Sequence, residues 1–141
     1  MSVALVVYIL TFLGAVVVSL TRLRLGGSHE GAKRVDVGRV WLNIHTVSGA
    51  LALVVWTVFL AFPEDTPPGD PLVGIVALGL WYVVALSGLS FLVRWLPSKG
   101  RHAVAASEDE WSEGPGLSLL AHLGMVVGVG VFTWAYWTAA I

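Results

Sequence analysis

The sequence predicts an all-α protein, a polytopic membrane four-helix bundle that forms one domain over residues 1–141. Three observations predict it. First, 57% of the residues are hydrophobic and 12% are charged, about half the ~25% charge of an average soluble domain. Second, the apolar residues gather into four runs, about 2–21, 40–62, 72–93 and 117–141, and none contains Asp, Glu, Lys or Arg. Each run is long enough, at ~1.5 Å per residue, to cross ~30 Å of hydrocarbon. Third, all eight Lys and Arg residues fall outside these runs. Spans that are apolar on every face leave nothing to face water, which excludes a small soluble helical core.

The first span runs from Ser2 to Thr21 and meets Arg22. No Lys or Arg precedes it and no small-x-small site follows it, so a retained helix is expected rather than a cleaved signal peptide. The second, Val40 to Phe62, lies between Arg39 and Pro63-Glu64. The third, Leu72 to Val93, lies between Asp70-Pro71 and Arg94. The fourth, Leu117 to Ile141, is entered through Gly114-Pro115-Gly116.

Orientation is expected to follow the bases. Arg22, Arg24, Lys33, Arg34 and Arg39 lie around the first loop, and Arg94, Lys99 and Arg101 follow the third span. The second loop holds Glu64, Asp65 and Asp70 and no base. Loops one and three are therefore expected in the cytoplasm and both termini outside, in a bacterial or archaeal cell membrane. Trp41 and Trp95 near one interface, and Tyr8, Phe62, Trp134, Tyr136 and Trp137 near the other, make an aromatic belt. The net charge of −1 provides no basic excess for nucleic acid. The absence of cysteine removes disulfides, thiolate metal sites, iron–sulfur clusters and thioether-linked haem.

Four histidines occur. His29 and His102 lie in loops, and His45 and His122 lie inside spans. Ionisable residues within a membrane are costly and face the bundle interior or a functional site. His45 follows Arg39 at the start of the second span, and His122 lies early in the fourth. Both spans run in the same direction, so the two imidazoles share a level ~8–10 Å into the membrane at ~1.5 Å per residue. If the two helices face each other across the bundle, the imidazoles approach from opposite sides. That is the arrangement in which two axial nitrogens hold the iron of a b-type haem.

Small residues gather at that level and would leave room for a flat macrocycle. They are Ser48 and Gly49 on the second span, Ser87, Gly88 and Ser90 on the third, Gly124 and Gly128 on the fourth, and Ser19 on the first. Ser48, Ser87 or Asn43 would orient the imidazoles. Arg39, Arg94 and Arg101 stand where haem propionates would need cations. The plainer reading is that the small residues serve helix packing and the histidines hydrogen-bond across helices.

The segments His45-Thr46-Val47-Ser48-Gly49 and His122-Leu123-Gly124 loosely resemble small membrane-bound b-type cytochromes, and the layout is similar to the haem-carrying anchor subunits of respiratory dehydrogenases. The resemblance implies a membrane electron-transfer protein or subunit holding one haem b by His45 and His122. Its partners would be the lipid bilayer and a quinone, a cytoplasmic donor or a larger respiratory or redox complex. Many di-haem members carry a second pair of histidines in the other leaflet, which this chain lacks. Two other readings stay open: a cofactor-free accessory or scaffold subunit, and a pigment protein with one histidine per magnesium. Nothing in the chain points to a transporter's broken helices or to a placed nucleophile and base.

Overall fold

The computed structural model of the chain describes residues 2–27, 39–95 and 115–141. They form four long helices: α1 (Val3–Gly27), α2 (Arg39–Ala61), α3 (Pro71–Trp95) and α4 (Pro115–Trp137), with a short 3₁₀ turn at Pro67–Gly69 before α3. No strand occurs among the described residues. Asn43–Ala61, Pro71–Ser90 and Leu119–Trp137 are each long and apolar enough to cross a membrane. The described apolar stretch of α1, Val3–Ser19, is shorter.

The helix ends follow local chemistry. Ser2 caps α1, its Oγ accepting the Leu5 N–H at 3.3 Å. α2 stops at Ala61 because Phe62 precedes Pro63, whose ring disfavours a helical residue before it. α3 opens on Pro71, whose missing N–H costs nothing at a first helical position. Asp70 caps it, with Oδ1 accepting the Leu72 N–H at 2.7 Å. In the loop, Gly69 is pressed against the chain that leaves α2. A Cβ there would run into the Pro63 carbonyl oxygen and lie 2.6 Å from that of Phe62.

Two boundaries differ from the sequence expectation. α1 continues past Arg22 and Arg24 to Gly27. A charge ends an apolar run but not a backbone hydrogen-bond ladder, and arginine is a good helix former. α4 ends at Trp137, not at Ile141. There Ala139 turns to φ 49°, its N–H bonds Tyr136 O at 3.1 Å and the Ala140 N–H bonds Ala135 O at 2.9 Å. This is a Schellman termination built on alanine where glycine is the usual residue. Left-handed backbone costs a residue with a Cβ about 1–2 kcal/mol. Ala139→Gly is therefore expected to stabilise the protein by about 1 kcal/mol, read as a higher unfolding midpoint in detergent. An unchanged or lower midpoint would refute this.

α2 packs on α1 and α3, and α4 packs on α3 and α1, so α2 and α4 stand on one diagonal of the bundle. The α2–α3 seam is the most extensive. The core is aromatic at the end nearest the 63–70 loop. Trp56 is fully buried. Its ring lies 4.9 Å from Phe132 and 5.6 Å from Phe59, and Phe132 lies 5.7 Å from the buried Trp81. Trp56 Nε1–H donates to Thr11 Oγ1 at 3.1 Å, while the Thr11 hydroxyl donates to Val7 O at 2.8 Å. Similar polar clips join α1 to α2 a second time and α3 to α4 twice. Tyr8 donates to Leu60 O, Tyr136 donates to Pro71 O, and the Tyr82 and Thr133 hydroxyls bond each other at 2.9 Å. Lipid tails are as apolar as the side chains, so packing and such clips hold the helices together in place of the hydrophobic effect. Trp41, Trp134 and Trp137 are exposed, as residues of an interfacial belt are.

Candidate functional site: a histidine pair between α2 and α4

Three turns along α2 from Trp56, the bundle changes character from aromatic to small and polar. His45 on α2 and His122 on α4 meet across the diagonal. Their ring centroids are 6.1 Å apart and their planes differ by 21°. Matched depth on parallel helices brings them to one level, and the diagonal placement turns them toward each other.

α3 supplies the rest of the site. The Ser87 hydroxyl is buried and lies 2.9 Å from His45 Nδ1. It also donates back to Val83 O at 2.7 Å, the usual recourse of serine in an apolar helix. A hydroxyl has one proton to give. With that proton on Val83 O, Ser87 Oγ is left as an acceptor toward His45 Nδ1. Metal-binding histidines are commonly held this way, with the non-coordinating nitrogen anchored.

Gly88 touches both rings. A Cβ on it would lie 2.6 Å from His122 Cδ2, 3.1 Å from His122 Nε2 and 3.2 Å from His45 Cε1. No other residue type fits this position without moving a ring. The other small residues play different parts. Gly49 is buried where a Cβ would meet Val84 at an ordinary 3.8 Å, so it serves the α2–α3 seam. Ser48 is half-buried. Gly124 is not brought to the pair: it is exposed, and a Cβ there would meet nothing within 4 Å. Arg39 is the first residue of α2, and Arg94 the last but one of α3, at the same end of the bundle as the histidines. Arg101, His29 and His102 lie outside the described residues. Asn43 is exposed.

Imidazole is a metal ligand, and the pair brings two of them together. A metal–imidazole bond measures about 2.0–2.1 Å, so two rings joined end to end through one ion would have centroids roughly 6.3 Å apart; here the centroids stand 6.1 Å apart with the rings stacked. Among the described residues no third His, Asp or Glu joins them. The gap does not admit a macrocycle with α3 where it stands. In a bis-imidazole haem, ring carbons of the two ligands lie on opposite faces of the porphyrin, so a point about 3 Å from both falls within the porphyrin plane. The Cβ position of Gly88 is such a point, and its backbone lies one C–C bond behind. A haem would need α3 to draw away from the pair.

No protein-family model, no curated protein and no solved structure matches the chain.

Proposed function

We propose that the chain is a membrane electron-transfer protein or subunit whose redox metal is carried between His45 and His122, near the cytoplasmic face. The observation that carries this reading is the opposition of the two imidazoles at 6.1 Å and 21°. Two imidazoles meeting at one level of an apolar bundle bring together two good metal ligands where no Asp, Glu, Lys or Arg lies within the spans. The placement near one face follows the basic residues of loops one and three and suits exchange with a cytoplasmic donor, a quinone or a partner subunit. A b-type haem, as the sequence resemblance implies, would use the same two ligands with Arg39, Arg94 or Arg101 toward its propionates, and it requires α3 to withdraw at Gly88.

The test is an absorption spectrum together with total metal analysis of the protein purified from cells supplied with haem and metals. The expected result is a bound metal centre that His45→Ala and His122→Ala each abolish. A colourless, metal-free wild-type protein that takes up nothing on reconstitution would sink the proposal.

A second reading, a cofactor-free accessory subunit, is favoured by the His45–Ser87 contact. That interhelical hydrogen bond gives His45 a structural role in the absence of any metal. Co-purification with a larger complex, with no metal at the pair, would select it.

A further inference from the structure

At the end of the bundle away from the histidine pair, a cavity of about 300 Å³ lies between the ends of α1, α2 and α4 and the 63–70 loop. That is the lower end of the ~300–1,000 Å³ range of ligand pockets. Four aromatic side chains line it: Tyr8, Phe59, Phe62 and Tyr136. The rings of Phe59 and Tyr136 stand 6.0 Å apart, tilted by 52°. Gly74 makes room for both, since a Cβ there would lie 2.7 Å from Tyr136 Cε2 and 2.9 Å from Phe59 Cζ. Tyr8, Phe62 and Glu64 are exposed and Phe59 is buried, so the cavity runs inward from the surface.

Hydrogen bonding selects the ligand. Among the side chains lining the cavity only the two phenols carry a donor, and both are committed. Tyr8 donates to Leu60 O at 3.1 Å and Tyr136 to Pro71 O at 2.8 Å. A hydroxyl has one proton, so each phenol oxygen has only lone pairs left to offer, and an ionised carboxylate such as Glu64 accepts only. The 63–70 loop also holds Asp65 and Asp70 and no base. Arg22, Arg24, Arg39 and Arg94 belong to helix ends on the other side of the bundle. Side chains that accept and do not donate, with aromatic rings and negative charge, disfavour an anion or a quinone carbonyl. They suit a cation that brings its own N–H donors.

We infer that this cavity binds an organic ammonium group at the membrane–water interface, with its nitrogen beside Glu64 and its alkyl chain among the aromatic rings. A lipid ethanolamine headgroup and a free amine share that chemistry. The full-length protein in non-ionic detergent is titrated with n-butylammonium, and with n-butanol as the neutral counterpart, by saturation-transfer NMR. The ionic strength is held at about 0.15 M, where exposed charges more than ~8 Å apart are screened. The expected result is saturable binding of butylammonium that butanol does not match. Glu64→Gln should weaken it about two- to fivefold, as loss of an exposed ion pair does. Phe62→Leu should weaken it by about the same factor through a lost cation–π contact. Glu64→Lys should abolish it. Asp65→Asn, whose carboxylate is not on the cavity wall, should bind as the wild type does. All these positions are exposed, and circular dichroism checks that each variant keeps its helices. Native mass spectrometry with added phosphatidylethanolamine or phosphatidylglycerol separates the two sources. Preferential retention of phosphatidylethanolamine that Glu64→Lys abolishes assigns the group to a lipid headgroup, and butylammonium binding without such retention assigns it to a free amine. No saturable binding of butylammonium, equal binding of butanol, or binding that Glu64→Lys leaves intact overturns the inference.

Discussion

Gly88→Ala is expected to abolish metal binding at the histidine pair while leaving the bundle folded. The new methyl carbon would lie 2.6 Å from His122 Cδ2, 3.1 Å from its Nε2 and 3.2 Å from His45 Cε1. The first of these is closer than carbon atoms approach, so the His122 ring swings aside or α3 shifts. Overpacking of this kind costs about 1–3 kcal/mol. Alanine recovers part of that, because it is better than glycine within a helix by about 1 kcal/mol. The net change in stability is therefore small, and the loss falls on the site, whose two rings can no longer keep their places beside α3. Gly124→Ala is the matched control. It lies on α4 two residues from His122, with open space where its Cβ would stand, so it should keep metal binding and gain slightly in stability. Metal per chain and the unfolding midpoint of both variants decide the matter. A Gly88→Ala protein that binds metal as the wild type does would show that α3 does not bound the site.

Trp56→Ala is expected to have the largest effect on stability, about 3–5 kcal/mol, the range for emptying a large buried side chain. Trp56 is the centre of the aromatic end. It contacts Phe132 and Phe59 through its ring and ties α2 to α1 through Thr11. Lipid cannot fill the cavity from outside, so the lost dispersion contacts are not replaced. Trp56→Phe keeps most of the packing and loses the hydrogen bond, which in membrane bundles amounts to about 1 kcal/mol. Unfolding of both variants in mixed micelles gives the two values. Trp56 lies eleven residues along α2 from His45, roughly 16 Å at ~1.5 Å per residue. Contributions that far apart add independently, so Trp56→Phe should leave metal affinity at the pair unchanged. Equal stability of Trp56→Ala and the wild type would contradict the packing described for this core.

Much of the candidate site was legible in the chain before folding. His45 and His122 stand out because they are the histidines inside apolar runs, and their matched depth follows from counting residues on parallel helices. Ser87 and Gly88 are conspicuous as small residues at that level. Their separate parts are not legible. A serine one residue before a glycine reads as packing, and only the meeting of α3 with both rings makes one the partner of Nδ1 and the other the gap that admits two imidazoles. Gly124, beside His122 in sequence, reads as part of the same pocket and turns outward instead.

Residue order makes the chain helical and apolar, sets where three of its spans begin and end to within a few residues, and puts the two histidines at one level. These follow from local properties: the length of an uncharged run, proline at a helix start, and a fixed rise per residue. The tertiary structure alone decided that α2 and α4 share a diagonal, that Trp56 and Trp81 point inward while Trp134 and Trp137 point out, and that Gly88 closes the gap between the rings. The reason lies in the solvent. A helix in water shows its inner face as an apolar stripe, but a helix in lipid is apolar on every side. Its sequence therefore carries little record of its rotation about its own axis, and that rotation is set by which side chains interlock with the neighbouring helices.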